Sequence, residues 1–119
     1  MEYSIHTDIK FGPRELIDIG KIGDECAERW WNQSLCRVND CVVRVGVFEG
    51  EFHWHKHDVE DEFFYVLEGA FLLDFEDKTV ELKSRQGMMV PHGLVHRTRA
   101  LQRAVVLMVE AATITPAGD

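Results

Sequence analysis

The stretch HWHKHDVEDEFFYVLEG, residues 53–69, places three alternating histidines and a cluster of carboxylates directly before an apolar run. A surface loop explains the charges and a buried strand explains the apolar run, but neither explains both. Because side chains alternate along a strand, His53, His55 and His57 are predicted to share one face. Neighbouring positions on that face lie roughly 6.6 Å apart, so two imidazoles can reach one ion. The stretch therefore predicts two antiparallel strands and their connection, with a polar inner face.

A carboxylate and a more distant histidine are further candidate ligands. Glu62 opens the second strand, and a carboxylate oxygen complements imidazole for Fe, Mn, Ni or Zn. Asp58, Glu60 and Asp61 compete with Glu62 for this role, although a solvated acidic turn accounts for most of them. His96 follows the sequence PHG and, taken alone, is an ordinary core or surface histidine. The case depends on how all these residues are spaced together.

From residue 41 onward, short segments rich in Val, Phe, Leu and Tyr alternate with glycine, proline and Asp-Lys. Several short strands at this spacing predict an all-β sandwich or barrel, and about eight strands fit a jelly roll. Gly69 and Asp77 are predicted to mark tight connections between antiparallel neighbours. In the first 40 residues, segments 13–19 and 24–33 fit short helical turns, while 16–23 fits a short strand equally well.

The combined spacing resembles the cupin superfamily, whose motifs read G-x5-H-x-H-x3,4-E-x6-G and G-x5-P-x-G-x2-H-x3-N. The residues that match these motifs are His55, His57, Glu62, Gly69, Pro91, Gly93 and His96. The resemblance covers about residues 42–110. It implies a double-stranded β-helix, or jelly-roll barrel, that holds one divalent transition metal. The implied metal ligands are His55, His57, Glu62 and His96, and the metal is Fe, Mn, Ni or Zn.

Three positions depart from the two motifs. Arg85 stands where the second motif has its first glycine, and Glu49 stands where the first motif begins. Ala100 replaces the final asparagine, which is not a ligand.

The implied domain is a single cupin domain over residues 1–119. Its barrel core is expected at 41–112, and residues 1–40 form an N-terminal extension that packs on the barrel or on a partner.

The resemblance implies a metal-dependent enzyme, of the oxygenase or isomerase/lyase type, that acts on a small organic molecule. The alternative is a non-catalytic ligand-binding or structural cupin, because the same ligand set serves many activities. Whether the chain is an enzyme therefore stays open. His53 shares the ligand face by alternation, so it is a candidate catalytic base or substrate contact. Its plainer interpretation is a histidine at the rim of the site.

Charge and cysteine content limit the partners. A net charge of −8 and a pI near 5.2 argue against nucleic acid and against an anionic membrane surface. The three cysteines lack C-x-x-C spacing, and no secretory pattern begins the sequence, so a reducing cytoplasm is expected.

A homodimer is expected from apolar side chains that need cover. Trp30 and Trp31 are adjacent in a polar setting. Phe63, Tyr65 and Leu67 are predicted to face away from the side of the strand that carries Glu62. Alternation also predicts that Arg97 and Arg99 point outward from the strand that begins near His96.

Overall fold

The computed structural model describes residues 2–119, which form eight strands and one short helix. The all-β prediction is confirmed, because the helix has only seven residues. No helix in this part of the chain is long and apolar enough to cross a membrane. The elements are β1 (Ser4–His6), α1 (Ile19–Glu25), β2 (Trp30–Val38), β3 (Cys41–Glu51), β4 (Glu62–Glu68), β5 (Ala70–Phe75), β6 (Thr79–Lys83), β7 (Gly87–Val90) and β8 (His96–Ala111).

The long strand β8 joins the two layers of the fold. Its second half lies between β3 and β4 in the order β1-β2-β3-β8-β4-β7. Its first half pairs with β5, which continues to β6. Between the halves, residues 101–103 are exposed and the register with β3 shifts. β8 therefore bends from one layer into the other, which is how a jelly roll folds one sheet over the next.

Strand β3 is buried on both faces, which explains its nearly continuous apolar sequence. Arg44 and Phe48 point into the barrel, where both line a central cavity. Val45 and Val47 point to the opposite face and form a second cluster with Leu35 and partly buried side chains of segment 11–31. The N-terminal segment thus covers the outside of its own barrel.

The interior is dominated by aromatic rings. Trp30, Phe48, Phe52, Phe64 and Phe71 belong to one buried cluster. Trp30 is only 2% exposed, and its ring stacks on that of Phe52 with centroids 5.5 Å apart. Trp30 therefore cannot supply a dimer surface.

Segment 24–33 differs from the helical turn that its sequence fits. The helix ends at Glu25, and Trp30 begins β2, whose residues 30–33 pair with residues 45–48 of β3. The ladder hydrogen bonds and the burial of Trp30 outweigh the weak local helix preference. The continuous part of the sheet consequently extends back to Trp30, and the short strand β1 at Ser4–His6 adds to its edge, rather than the strands starting at residue 41.

The two predicted tight connections have different outcomes. Asp77 lies in the turn between β5 and β6, which do pair as antiparallel neighbours. Gly69 does not join paired strands, because β4 pairs with β7 and β8 while β5 pairs with β6 and β8. Gly69 has φ +80°, and an added Cβ would lie 2.6 Å from the carbonyl oxygen of Arg103. It therefore turns a corner between the layers where a side chain does not fit.

Candidate metal centre

Two of the candidate ligands lie on an irregular connection rather than on the predicted strand. β3 ends at Glu51, and between it and β4 only His55 forms a bridge, with His96. Both backbone hydrogen bonds of this bridge are 2.9 Å long, and the carbonyl of His57 accepts the N–H of Gly93 at 2.7 Å. The connection is thus fixed to β8 and to the 91–93 turn, which positions the two imidazoles without a regular strand.

The other two ligands begin strands. Glu62 is the first residue of β4 and His96 is the first residue of β8. The predicted alternation in β4 is confirmed, because Phe64 and Val66 are buried on the inner face while Phe63 is 38% exposed. The carboxylate of Glu62 therefore points into the barrel.

The four side chains converge. One donor atom from each of His55, His57, Glu62 and His96 lies within 4.8 Å of those of the other three. Glu62 Oε1 is 3.0 Å from His57 Nε2 and 3.2 Å from His96 Nε2. His57, Glu62 and His96 are at most 5% exposed.

These buried donor atoms are not satisfied within the chain. His57 Nε2, His96 Nε2 and Glu62 Oε1 have no partner of hydrogen-bond geometry among residues 2–119. Orphaned buried polar atoms are rare and costly, and a divalent cation would satisfy all of them. Three imidazoles and one carboxylate suit Fe, Mn, Ni or Zn. The cluster could therefore hold one metal ion.

Hydrogen bonds to the backbone set the tautomers of two ligands. His55 Nδ1 lies 2.9 Å from the carbonyl oxygen of His53, and His96 Nδ1 lies 2.9 Å from that of Leu94. A carbonyl only accepts, so each Nδ1 carries the proton and each Nε2 keeps its lone pair for a metal. His57 Nδ1 is buried and has no such acceptor in the described chain.

Burial and charge tune the protonation of the ligands. Burial lowers the pKa of His55 to about 4, so its imidazole is neutral at neutral pH. Burial alone would lower the pKa of His57, but the carboxylates of Glu62, Asp119 and Glu60 outweigh it and raise that pKa. Burial would likewise raise the pKa of Glu62, yet its contacts with neighbouring side chains, chiefly His57, hold the pKa below the usual range. A cation that binds here therefore competes with a proton for His57.

A narrow cavity adjoins the cluster inside the barrel. His55 and Glu62 form one part of its wall, and Arg44, Asn32 and Glu110 form another. The remaining lining is mostly aromatic. The free space is about 30 Å³, room for about one or two water molecules.

The competing carboxylates have separate roles. Asp58 is exposed and pairs with Lys56. Asp61 is exposed and accepts hydrogen bonds from the backbone and ring of His92. Glu60 is only 7% exposed, so the solvated-turn interpretation is wrong for this residue. No sequence signal could have found its burial, because that depends on a distant segment that supplies the hydroxyl of Thr113 at 3.0 Å.

His53 lies beside the cluster rather than in it. Its ring stacks on Phe52 at 4.2 Å between centroids, and its Nε2 is 2.6 Å from the carbonyl oxygen of Ala117. Of the described residues, those that line the cavity do not include His53.

The arginines after His96 face away from the cavity. Arg97 and Arg99 both contact the carboxylate of Asp74, at 2.9 and 2.6 Å. Thr98 between them lines the cavity. The predicted alternation at the start of β8 is thus what the structure has.

Comparison with known proteins agrees with the motifs. Residues 41–110 match the family described as Cupin domain. The chain belongs to the cupin family. This cupin is 49% identical over 90 residues to the uncharacterized protein YdbB of Bacillus subtilis, a match that covers 75% of this chain and 80% of YdbB.

The chain was also compared with a solved structure and with a second related sequence. A crystal structure of a cupin-2 domain containing protein from Shewanella frigidimarina superposes with a TM-score of 0.77 and 26% identity, covering 81% of this chain and 94% of that one. The jelly-roll barrel is therefore the cupin fold. Polyketide synthase CurC of Streptomyces cyaneus is 40% identical over 45 residues, which are 38% of this chain and 29% of CurC.

Proposed function

We propose that this cupin is a metal-dependent enzyme, of the oxygenase or isomerase/lyase type, that acts on a small carbonyl compound. The observation that carries the proposal is the set of buried, unpartnered donor atoms on His57, Glu62 and His96, which meet His55 beside a cavity. A divalent ion bound by these four residues would polarise a carbonyl or enolate oxygen and leave open coordination positions.

The protein's own residues would bind and orient the substrate. Phe48, Phe64 and Phe71 line the cavity and offer flat apolar surfaces to a planar carbon skeleton. Thr98 adds a residue with a hydroxyl group to the lining. Buried aromatic walls also exclude water from the reacting carbon atoms. His53 is the candidate proton-transfer residue, at the rim and beside His55, with ring centroids 5.4 Å apart.

A carbonyl-rich substrate is also supported by one relative. CurC carries the name polyketide synthase, and polyketides are chains of repeated ketone groups. The shared region is short, so what passes to this chain is the substrate class only. We therefore propose diketones and related phenolic compounds as the first substrates to test.

The first experiment is elemental analysis of natively purified protein, followed by turnover assays on the metal-loaded form. Oxygen uptake across diketones, catechols and flavonols tests the oxygenase type. Solvent-deuterium exchange beside the carbonyl, measured without oxygen, tests the isomerase/lyase type. The matched control is His96→Ala, which removes one ligand. Metal-dependent turnover supports the proposal, and a fully loaded protein that is inert in both assays contradicts it.

The second candidate is a cupin that binds a ligand or metal without turnover. It is favoured by the small cavity, since about 30 Å³ admits none of these substrates unless the wall moves. The two candidates differ in one result. Metal that raises the unfolding temperature, while every substrate is returned unchanged, supports the binding protein.

We also propose a homodimer formed through the outer face of β4 and its neighbours. Val43, Val109, Phe63 and Met89 are successive cross-strand partners and form one apolar row. Phe63 and Met89 are exposed, and a second copy is the simplest cover for a continuous row of this kind. Sedimentation of a 13.7 kDa species at micromolar concentration would contradict the dimer.

A reducing cytoplasm remains our proposal for the compartment. All three cysteines are free, and Cys41 is exposed. Retention of function after treatment with reductant, and no change in mass on adding it, are expected.

A further inference from the structure

The three histidines of the metal centre are supported unequally. Nδ1 of His55 and Nδ1 of His96 each have a backbone carbonyl as partner at 2.9 Å. His57 is 2% exposed, and its Nδ1 has no hydrogen-bond partner in residues 2–119. A histidine that binds metal through one nitrogen almost always donates its other N–H to an acceptor, which fixes the ring. His57 needs such an acceptor.

Two carboxylates outside the quartet stand close to His57. An oxygen of Glu60, an oxygen of Asp119 and a ring nitrogen of His57 all lie within 4.8 Å of one another. Glu60 is buried, which is unusual for a carboxylate without a cation. One water molecule spans such a distance between a ring N–H and a carboxylate. Outside the quartet, these two carboxylates are therefore the candidate acceptors for the N–H of His57.

Asp119 reaches this position because residues 112–119 run along the loop that carries the ligands. Asp119 accepts the backbone N–H of Asp58 at 2.6 Å and donates its own to the carbonyl of Lys56 at 3.0 Å. Gly118 lies against His55 so closely that an added Cβ would be 2.5 Å from the Cβ of that histidine. Segment 112–119 is thus fitted to the metal centre.

The same segment closes the cavity. Pro116 lines it together with Phe52 and His55, which also lie outside the strands. The carbonyl of Ala117 holds the ring of His53. Movement of segment 112–119 would therefore open the cavity and withdraw Asp119 from His57 in one step.

We propose that Glu60 and Asp119 are positioning residues for the metal ligand His57, Asp119 acting from the segment that closes the cavity. The proposal rests on the metal site of the proposed function. Through one water molecule, the two carboxylates accept the hydrogen bond that His57 Nδ1–H donates. They hold the ring so that Nε2 faces Glu62, and they make the imidazole a stronger metal ligand. Neither residue is a ligand of the ion.

The test is zinc affinity, measured by competition with a chromophoric chelator at constant pH. Glu60→Gln and Asp119→Asn keep the size of each side chain but remove its charge, and each is expected to weaken zinc binding about 10- to 100-fold. The matched control is Asp61→Asn, which removes a charge from the same connection while keeping the acceptor for His92. Its zinc affinity is expected to equal that of the wild type.

A second measurement separates positioning from general loss of structure. In the zinc-loaded wild type, NMR is expected to show a downfield His57 Nδ1 proton that exchanges slowly with solvent. That proton should exchange faster in Asp119→Asn while those of His55 and His96 are unaffected. Thermal unfolding of the metal-free variants checks that they fold.

The outcomes distinguish this proposal from the metal site itself. If the wild type binds no zinc, the metal site fails. If it binds zinc tightly and both variants match it, the metal site stands and the positioning role is overturned. If only one of the two variants loses zinc affinity, the residue replaced in the unaffected variant has no positioning role. A rapidly exchanging His57 proton in the wild type overturns both roles, even if a variant proves unstable.

Discussion

Replacing His57 and His53 in turn tests whether the ligand pair is assigned to the correct histidines. Four-ligand zinc sites in small proteins bind with about 10–16 kcal/mol of apparent free energy, so one ligand in four corresponds to roughly 2.5–4 kcal/mol. About 1.4 kcal/mol is a factor of ten. We therefore expect His57→Ala to weaken zinc binding roughly 60- to 700-fold. His53→Ala removes no ligand, and its backbone carbonyl still accepts from His55 Nδ1, so zinc affinity should be unchanged.

The assay is chelator competition on metal-free protein, with the absorption spectrum of the cobalt form as a check on coordination. The full series comprises alanine variants of His53, His55, His57, Glu62 and His96. Loss of metal from His53→Ala with retention in His57→Ala would mean that the ligand pair is His53 and His55. If none of the five variants loses metal, the reasoning from buried unpartnered atoms is refuted.

Three further predictions concern the barrel and its pH dependence. Arg44→Ala leaves the buried carboxyl of Glu110 without the guanidinium that lies 3.1 Å away. The free energy of unfolding, measured by urea titration, should fall by about 3–5 kcal/mol. An unchanged urea midpoint would contradict this prediction. Gly46→Ala places a Cβ 2.0 Å from the Phe48 ring and should cost about 1–3 kcal/mol by the same assay. Below the raised pKa of His57, zinc affinity should fall about tenfold per pH unit, because zinc must then displace the proton bound to the imidazole. A zinc affinity that stays constant from pH 7 to pH 5 would show that His57 is not a ligand.

The part of the fold predictable from sequence is the part in which local pattern and burial agree. In β4, alternation separated Phe64 and Val66 from Phe63, and the structure has the same separation. In β3, the bounds Cys41–Glu51 follow the valine-rich segment 41–49, which is followed by Gly50. Such strands have strong local preference and a matching place in the core.

The unpredicted parts depend on partners far along the chain. β2 forms because residues 30–33 pair with β3, whereas their local sequence is predicted to form a helical turn. The connection that carries His55 and His57 is shaped by one bridge to His96 and by a hydrogen bond to Gly93. Strand alternation predicted that His55 and His57 share one face, but these residues do not lie on a regular strand. The ligand prediction therefore rests on their positions in the motif and not on strand geometry.

Hydrogen bonding distinguishes two kinds of buried polar residue inside this barrel. Arg44 is 1% exposed, but its guanidinium has several partners. It donates to Ser34 Oγ at 2.6 Å, to Asn32 Oδ1 and to the carbonyl of His6 at 3.3 Å. It also pairs with the carboxyl of Glu110. The chain thus supplies partners for this charge, as a structural role requires.

The metal quartet has the opposite property. Two of its histidines, His57 and His96, are about as deeply buried as Arg44. Their Nε2 atoms face a single carboxylate oxygen and form no hydrogen bond within the described chain. Burying His57 Nε2, His96 Nε2 and Glu62 Oε1 together without partners destabilises the fold, since each unsatisfied atom costs about 1–3 kcal/mol. A bound cation removes that cost and adds stability in proportion to the logarithm of its concentration over Kd. The same barrel therefore contains a buried arginine whose charge the chain satisfies by itself and a quartet whose unpartnered atoms a cation would satisfy.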